Sequence, residues 1–331
     1  MRAMLLENQA AIVTAPLVAR EIETPAPGPG GVRLRVRACG ICHTDLHIVE
    51  GDLAPRRMPI VPGHQVVGEI DAVGEGVEPS RIGSRVGLPW LHRTCGECKY
   101  CRTDRENLCD DARFTGWDVN GGFAEWCVAP ADFVIDLPPE IDAAHAAPLL
   151  CAGIIGYRSL RLSGAAPGSR LGLVGFGAAA HIAIQIAVAR GIEVHVATRS
   201  TSHRRLAADL GASWCGDADD SPPHRWDAAI IFAPAGELVA KTLRNMEKGA
   251  TIALGGIHMS PIGPIDYADW WGERVIRTVA NSTRDDGREL VAEAARVGVK
   301  SHVTEYALAD ANRALADLKA SRIDGAGVMI P

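Results

Sequence analysis

The chain has no excess of positive charge, no apolar run long enough to span a bilayer, no internal repeat and no low-complexity tract. Its 34 Lys and Arg are outnumbered by 40 Asp and Glu, for a formal net charge of −6. That balance excludes the basic footprint of a nucleic-acid-binding surface and a polybasic membrane patch. The N-terminus, Met1 to Glu7, lacks the apolar core of a secretory signal. The most apolar run, Ala146 to Ile155, is too short to cross a membrane and is broken by Pro148. Lysine is scarce, five residues against 29 arginines, a skew that speaks to coding bias rather than to function. A cytoplasmic protein with no nucleic-acid and no membrane partner is expected.

What is present is the composition of an ordinary globular protein, 47% hydrophobic and 22% charged, with 331 residues, enough for two domains. Nine cysteines in a reducing compartment are explained by metal before disulfides. Four of them, Cys95, Cys98, Cys101 and Cys109, follow one another as C-x2-C-x2-C-x7-C. Four thiolates in so short a loop can close a tetrahedron around zinc with no open position, which makes a structural site. The spacing does not match the ferredoxin runs of iron–sulfur proteins. A second concentration of ligating groups lies in Gly40-Ile41-Cys42-His43-Thr44-Asp45-Leu46-His47, followed by Gly63-His64 and the distant Cys151. Cys42, His64 and Cys151 offer two sulfurs and one imidazole, the three-ligand set that leaves a zinc ion one position for chemistry. Cys39, Cys127 and Cys215 read as small buried hydrophobes, and His145, His195, His258 and His302 have no pattern that assigns them a role.

Along the chain, Val32-Arg33-Leu34-Arg35-Val36-Arg37 alternates with period two, as do Val66 to Gly74 and Phe123 to Val128, so the first part reads as mainly antiparallel β of barrel type with the metal motifs on its loops. From Leu171 the character changes to strands alternating with helical lengths, which predicts a doubly wound parallel sheet. The strand Leu171–Val174 runs into Gly175-x-Gly177-x-x-Ala180 and an amphipathic helix to Ala189. Placed there, the fingerprint predicts a dinucleotide site: Gly175 makes the tight turn, Gly177 admits the pyrophosphate backbone contact, and Ala180 packs the helix on the sheet. Strands at 192–197, 228–232 and 251–254, helices near 204–210 and 238–246, and a last strand at 327–330 complete the expectation.

Taken together and in this order, these motifs resemble the zinc-dependent alcohol dehydrogenases of the medium-chain dehydrogenase/reductase superfamily, over nearly the whole length. The resemblance implies an α/β protein with a GroES-like mainly-β catalytic domain at 1–150, completed by about 288–331, and a Rossmann dinucleotide-binding domain at 151–287. It implies two zinc ions per subunit, one on Cys42, His64 and Cys151 and one on Cys95, Cys98, Cys101 and Cys109, and reversible hydride transfer between an alcohol or aldehyde and NADP or NAD. A homodimer or homotetramer, meeting at the edge of the Rossmann sheet, is expected on the same ground. Zinc on two thiolates and an imidazole acidifies an alcohol bound to it. Thr44, two residues after Cys42, is placed to hydrogen-bond the substrate oxygen. His47 resembles the relay base, Asp45 the carboxylate that orients His64, and His43 a residue that meets the cofactor pyrophosphate. The substrate pocket falls on Trp90, Leu91 and Trp117, which suit apolar alcohols and aldehydes, aromatic ones included. Gly255 and Ile257 stand where backbone meets the nicotinamide carboxamide, with Ser282, Thr283 and Arg284 nearby.

The chain departs from the resemblance in two places. Gln65 stands after His64 where a glutamate is usual, which removes an anionic transient metal ligand. In Arg322-Ile323-Asp324-Gly325-Ala326, alanine replaces the usual pyrophosphate-binding arginine. At the end of the second Rossmann strand, Thr198-Arg199-Ser200 replaces the acid that reads a ribose 2′-OH, so a 2′-phosphate is accepted and NADP is the expected preference. Arg204 and Arg205 are expected on a solvated helix face. The competing readings are a polyol, cinnamyl-alcohol or formaldehyde dehydrogenase of the same superfamily, or a non-catalytic, redox-responsive zinc protein, against which Thr44 and His47 argue.

Overall fold

The computed structural model describes residues 1–323 and 325–331; Asp324, in the segment whose usual arginine is missing, lies outside the described residues. The chain divides into two compact units, Met1–Cys151 with Asn281–Ala295 and Lys300–Pro331, and Ala152–Ala280 with Arg296–Val299.

The first unit is organised on the strand Gly31–Ile41. Val32, Leu34 and Val36 turn inward and Arg35 and Arg37 outward, as the period-two pattern demands. It pairs antiparallel with Gln65–Val73, Trp126–Pro130 and Ala326–Ile330. The sheet continues through Arg85–Leu88 to Ile135–Asp136 on one side and ends in Val303–Ala307 on the other. Side chains such as Leu34, Val66, Ile70, Leu88 and Phe123 fill its core. A register shift between Val36 and Ala38 marks a bulge just before the chain delivers Cys42. The strand expected from Phe123 starts three residues later, because the backbone of 121–123 is bonded instead to Val61, Pro62 and Gly63.

Cys42 and His64 lie outside helices and strands, as expected, but the residues after Cys42 are helical. His43–Glu50 is a helix with Cys42 as its N-cap. Cys42 Sγ accepts from the Thr44 N–H at 3.3 Å, and Asp45 Oδ2 accepts from the Cys42 N–H at 3.0 Å. This is a capping box built with a thiol where serine or threonine is usual, which is why the sequence does not signal it.

The second unit holds a six-stranded parallel sheet. Numbered in sequence from Arg170–Val174 (1), its strands run Glu193–Ala197 (2), Trp214–Gly216 (3), Trp226–Ile231 (4), Met246–Leu254 (5) and Val275–Thr278 (6), in spatial order 3-2-1-4-5-6. That order belongs to doubly wound dinucleotide folds, and its direction reverses between strands 1 and 4. Strands 1 and 4 are almost wholly buried, as expected of a sheet covered on both faces. Gly172 is pressed flat by Trp226, whose indole N–H donates to His195 Nδ1 at 3.0 Å; His195 is a core residue bridging on to Glu193. Among the described residues, no helix is long and apolar enough to cross a membrane.

Candidate zinc and dinucleotide sites

The helix start and the turn before Gln65–Val73 bring Cys42 and His64 together, and Cys151 joins them at the end of the short helical turn Ala147–Leu150. Cys42 Sγ lies 3.3 Å from His64 Nε2 and 3.9 Å from Cys151 Sγ. Ligands at about 2.0–2.3 Å on tetrahedral axes stand roughly 3.5–3.8 Å apart, so the three atoms fit one zinc ion. His64 is fully buried, and its Nδ1 faces Asp45 Oδ1 at 2.8 Å. The carboxylate accepts a hydrogen bond from Nδ1–H and leaves Nε2 as the lone-pair ligand, a carboxylate being a usual second partner of a metal imidazole. Asp45 Oδ1 also accepts from the Gly63 N–H at 3.2 Å. Gly63 has φ of +97°, and a Cβ there would strike Phe123.

The electrostatics of this cluster follow from burial and mutual contact. Burial lowers the His64 pKa, but the Asp45 and Cys42 anions beside it prevail and carry it up to about 10. The hydrogen bond from Cys151 holds Cys42 well below the ordinary thiol range against the desolvation that burial imposes, and the same bond pushes Cys151 up. A divalent cation seated on these atoms displaces their protons, so its affinity rises with pH.

Thr44 is buried in the first turn of the same helix. His47 lies one turn further, its Nδ1 2.7 Å from Asp52 Oδ2. His43 is exposed, its ring centroid 6.5 Å from that of His47. Gln65 is buried, with its Oε1 lying over Gly40. Its Nε2 finds no partner among the described residues. Ala326 opens the last strand, opposite Val303.

Trp90 meets the His64 ring edge-on at 5.0 Å and stacks with Phe114 at 5.0 Å and Trp117 at 5.9 Å. The Arg56 guanidinium covers the Trp117 ring at 4.1 Å. Phe114 and Arg56 have no motif and were not foreseen. Leu91 does not share this wall. As the next residue along an extended segment it turns the opposite way, into the cluster of Cys109, Ala112 and Phe133.

In the cysteine lobe, sulfurs stand 3.8 Å (Cys95–Cys101), 3.6 Å (Cys98–Cys101) and 3.6 Å (Cys95–Cys109) apart, too far for disulfides and right for a shared zinc. The Cys95 thiol is brought down to about 7 by backbone N–H groups of Glu97 and Cys98. Glu106, inside this lobe, receives Arg284 through its side chain at 2.7–3.0 Å and its backbone N–H at 2.8 Å. Arg284 also lies over Phe133. Expected at the cofactor, it is held by the cysteine lobe, because the buried Glu106 supplies a charged partner 178 residues away.

In the second unit Gly175 has φ of +89°, and a Cβ would sit 2.8 Å from the Ala233 nitrogen. Gly177 caps the helix Ala178–Ala189 with open space where a Cβ would be and no side-chain cap on the first-turn N–H groups. Ala180 is fully buried. The helix terminus thus presents free donors and positive dipole to an anion. Thr198 is buried, Arg199 is exposed without a partner among the described residues, and Ser200 caps the helix Thr201–Asp209. Arg204 is not on a solvated face. Its Nε donates to the Thr198 carbonyl at 2.7 Å and its Nη2 to Asp217 at 3.0 Å, so it ties the loop to the carboxylate of Asp217 and pairs that charge. Gly255, at the end of the fifth strand, has the Phe232 ring and Ser159 Oγ 2.9 Å from a would-be Cβ, and Ile257 is 63% exposed.

Residues 28–139 match the family model of the alcohol dehydrogenase GroES-like domain. A probable alcohol dehydrogenase, AdhA, of Mycobacterium tuberculosis is 47% identical over 323 residues, covering 96% of this chain and 93% of that protein. An alcohol dehydrogenase of Geobacillus stearothermophilus is 36% identical over 316 residues, covering 92% and 93%. Among solved structures, a cinnamyl alcohol dehydrogenase of Sorghum bicolor superposes with a TM-score of 0.88 at 27% identity over 99% of this chain and 97% of that one. An acetophenone reductase of Geotrichum candidum, solved with NAD, has a TM-score of 0.88 at 25% identity over 100% and 97%.

Proposed function

Since the chain belongs to the zinc-dependent, NAD(P)-dependent alcohol dehydrogenases of the medium-chain dehydrogenase/reductase superfamily, we propose that it interconverts primary alcohols and aldehydes with apolar or aromatic substituents and prefers NADP to NAD. The observation that carries the cofactor preference is the second strand's end: no carboxylate at 198–200, an exposed Arg199, and the neighbouring Asp217 engaged by Arg204. The substrate preference rests on the wall of Trp90, Phe114 and Trp117 that begins against His64.

Cys42, His64 and Cys151 would hold a zinc ion that would supply the Lewis acidity lowering an alcohol's pKa, and a bound nicotinamide would supply the hydride acceptor. The chain's own residues do the rest. Asp45 keeps His64 in the ligating tautomer. Thr44 accepts the substrate's hydroxyl proton into a relay whose outer member is His47. Trp90 and Trp117 desolvate the substrate's apolar part and fix its orientation. Gly177 and the helix start after it receive the pyrophosphate, aided by His43, while Arg199 and Ser200 receive the 2′-phosphate and Gly255 with Ile257 the carboxamide. Cys95, Cys98, Cys101 and Cys109 would hold a second, structural zinc. Free thiols ready for metal suit the cytoplasm. The exposed edge strand Val275–Thr278, with Trp271 and Tyr267 also exposed, is where a second copy would pair to form a homodimer or half of a homotetramer.

Steady-state kinetics with benzyl alcohol, cinnamyl alcohol, ethanol, a polyol and formaldehyde, each with NADP and NAD, test the reading. The expected result is a higher kcat/KM with NADP and with the aromatic alcohols. A higher kcat/KM with NAD overturns the cofactor preference, and a preference for polyols or formaldehyde overturns the substrate class. The aromatic wall favours a cinnamyl-alcohol type of activity as the second reading.

A further inference from the structure

The helix carrying Thr44 and His47 ends in a turn whose construction serves one contact. Gly51, at φ of +93°, reverses the chain, and the N–H groups of both Gly51 and Leu53 donate to the His47 carbonyl at 3.1 Å. Gln9 locks this reversal from outside: its Nε2 donates to the Ile48 carbonyl at 2.7 Å and to the Leu53 carbonyl at 2.8 Å. A left-handed residue is needed at 51, and only glycine takes it without strain. The reversal carries Asp52 back over the helix and sets its Oδ2 2.7 Å from His47 Nδ1.

We propose that Asp52 is a positioning residue of the proton relay: it accepts the Nδ1–H of His47, fixes that tautomer, and leaves Nε2 as the acceptor for the substrate's proton. This rests on the reading of His47 as the relay base. Oxidation of an alcohol sends a hydride to the nicotinamide and a proton to the relay. His47 Nε2 takes the proton, Nδ1–H stays on Asp52, and Nε2 then releases the proton to water. The two other carboxylates on this helix, Asp45 and Glu50, are engaged elsewhere among the described residues. Asp45 is turned on His64. Glu50 accepts from Lys319 of the helix Ala311–Lys319 at 2.7–2.8 Å and from the Ile12 N–H. His43 faces His47 as a ring neighbour rather than a carboxylate partner. Without Asp52 the Nδ1–H loses its carboxylate acceptor, and a larger fraction of molecules then presents a proton where the relay needs a lone pair.

The test uses the full chain loaded with zinc, and the variants Asp52→Ala, Asp52→Asn and His47→Gln, with kcat and KM for alcohol oxidation measured from pH 5.5 to 9. Asp52 is 64% exposed on its side chain, so its replacement does not threaten folding. Asp52→Ala is expected to lower kcat about fivefold at pH below 7, the weight of an exposed charged contact, with KM for the alcohol and zinc content unchanged. The deficit should fade toward pH 9, where solvent base takes the proton. Asp52→Asn, whose amide oxygen still accepts Nδ1–H, should recover most of the rate. Wild-type kcat and pH profile in Asp52→Ala, with His47→Gln slowed, would overturn the proposal and leave the relay standing. Wild-type behaviour in His47→Gln as well would overturn both.

Discussion

On the proposed seating of a zinc ion on Cys42, His64 and Cys151, the contact that sets its affinity is the buried carboxylate behind His64, and Asp45→Asn isolates it. Asp45 is fully buried, with Oδ1 accepting from His64 Nδ1 at 2.8 Å and Gly63 N–H at 3.2 Å, and Oδ2 accepting from Cys42 N–H at 3.0 Å. Asparagine has the same shape but one acceptor oxygen and one NH₂ donor. Turned one way, the NH₂ confronts both His64 and Gly63. Turned the other, it confronts only the Cys42 N–H, and that orientation costs less. One buried donor is then left unsatisfied, at about 1–3 kcal/mol. The negative charge that holds the imidazole and raises its basicity is also gone, a loss that typically weakens zinc about 10- to 100-fold, or about 1.4–2.8 kcal/mol. The two estimates agree in size. The assay is zinc content per chain after dialysis against graded chelator, with the four-cysteine zinc as internal reference. Asp45→Asn should surrender one equivalent at 10- to 100-fold lower chelator strength, with kcat falling in parallel, while the second equivalent leaves as in wild type. Release of both equivalents at wild-type chelator concentrations would refute the reasoning.

Burial raises the Glu106 carboxyl's pKa, but hydrogen bonds from Arg284 outweigh it and hold the group below the ordinary glutamate value. A folded-state pKa below the unfolded one gives stability that is full above about pH 4.3 and lost as pH falls through the folded value. Glu106→Gln should therefore lower Tm at pH 7, and the gap from wild type in thermal melts should shrink below pH 4. Gly175→Ala should weaken NADP binding and cost about 1–2 kcal/mol, the penalty of a left-handed L-residue with its Cβ on the Ala233 backbone, measurable by calorimetry. Arg199→Glu should reverse the cofactor preference, with kcat/KM for NADP falling by roughly 10-fold or more, since a charge-assisted bond is replaced by repulsion. Trp90→Ala should lower kcat/KM for benzyl and cinnamyl alcohol relative to ethanol by about 10-fold, read from the same assay series.

Much of the fold was legible because its signals are local. The alternation from Val32 to Arg37 placed the central strand, and the strand–glycine–helix sequence from Leu171 placed the dinucleotide turn. The short strands Trp214–Gly216 and Val303–Ala307 were not legible: three residues carry no period, and the second is largely exposed. The helix His43–Glu50 escaped because its cap is a cysteine. Asp52, Phe114 and Arg56 have no motif, since each acts through a neighbour that only folding supplies.

The sequence by itself determined the four-cysteine site, whose ligands share one loop of 15 residues, from Cys95 to Cys109. It also determined the parallel dinucleotide sheet and the absence of an acid at 198–200. Tertiary structure decided what depends on distant residues meeting or on which way a side chain turns. Cys151 reaches Cys42 across 109 residues and Arg284 reaches Glu106 across 178, while Leu91 turns away from Trp90 and Arg204 folds back on Asp217. Spacing along a chain constrains geometry only over a turn or a strand. Beyond that, the packing of buried apolar side chains sets which charges and ligands come within a few ångströms.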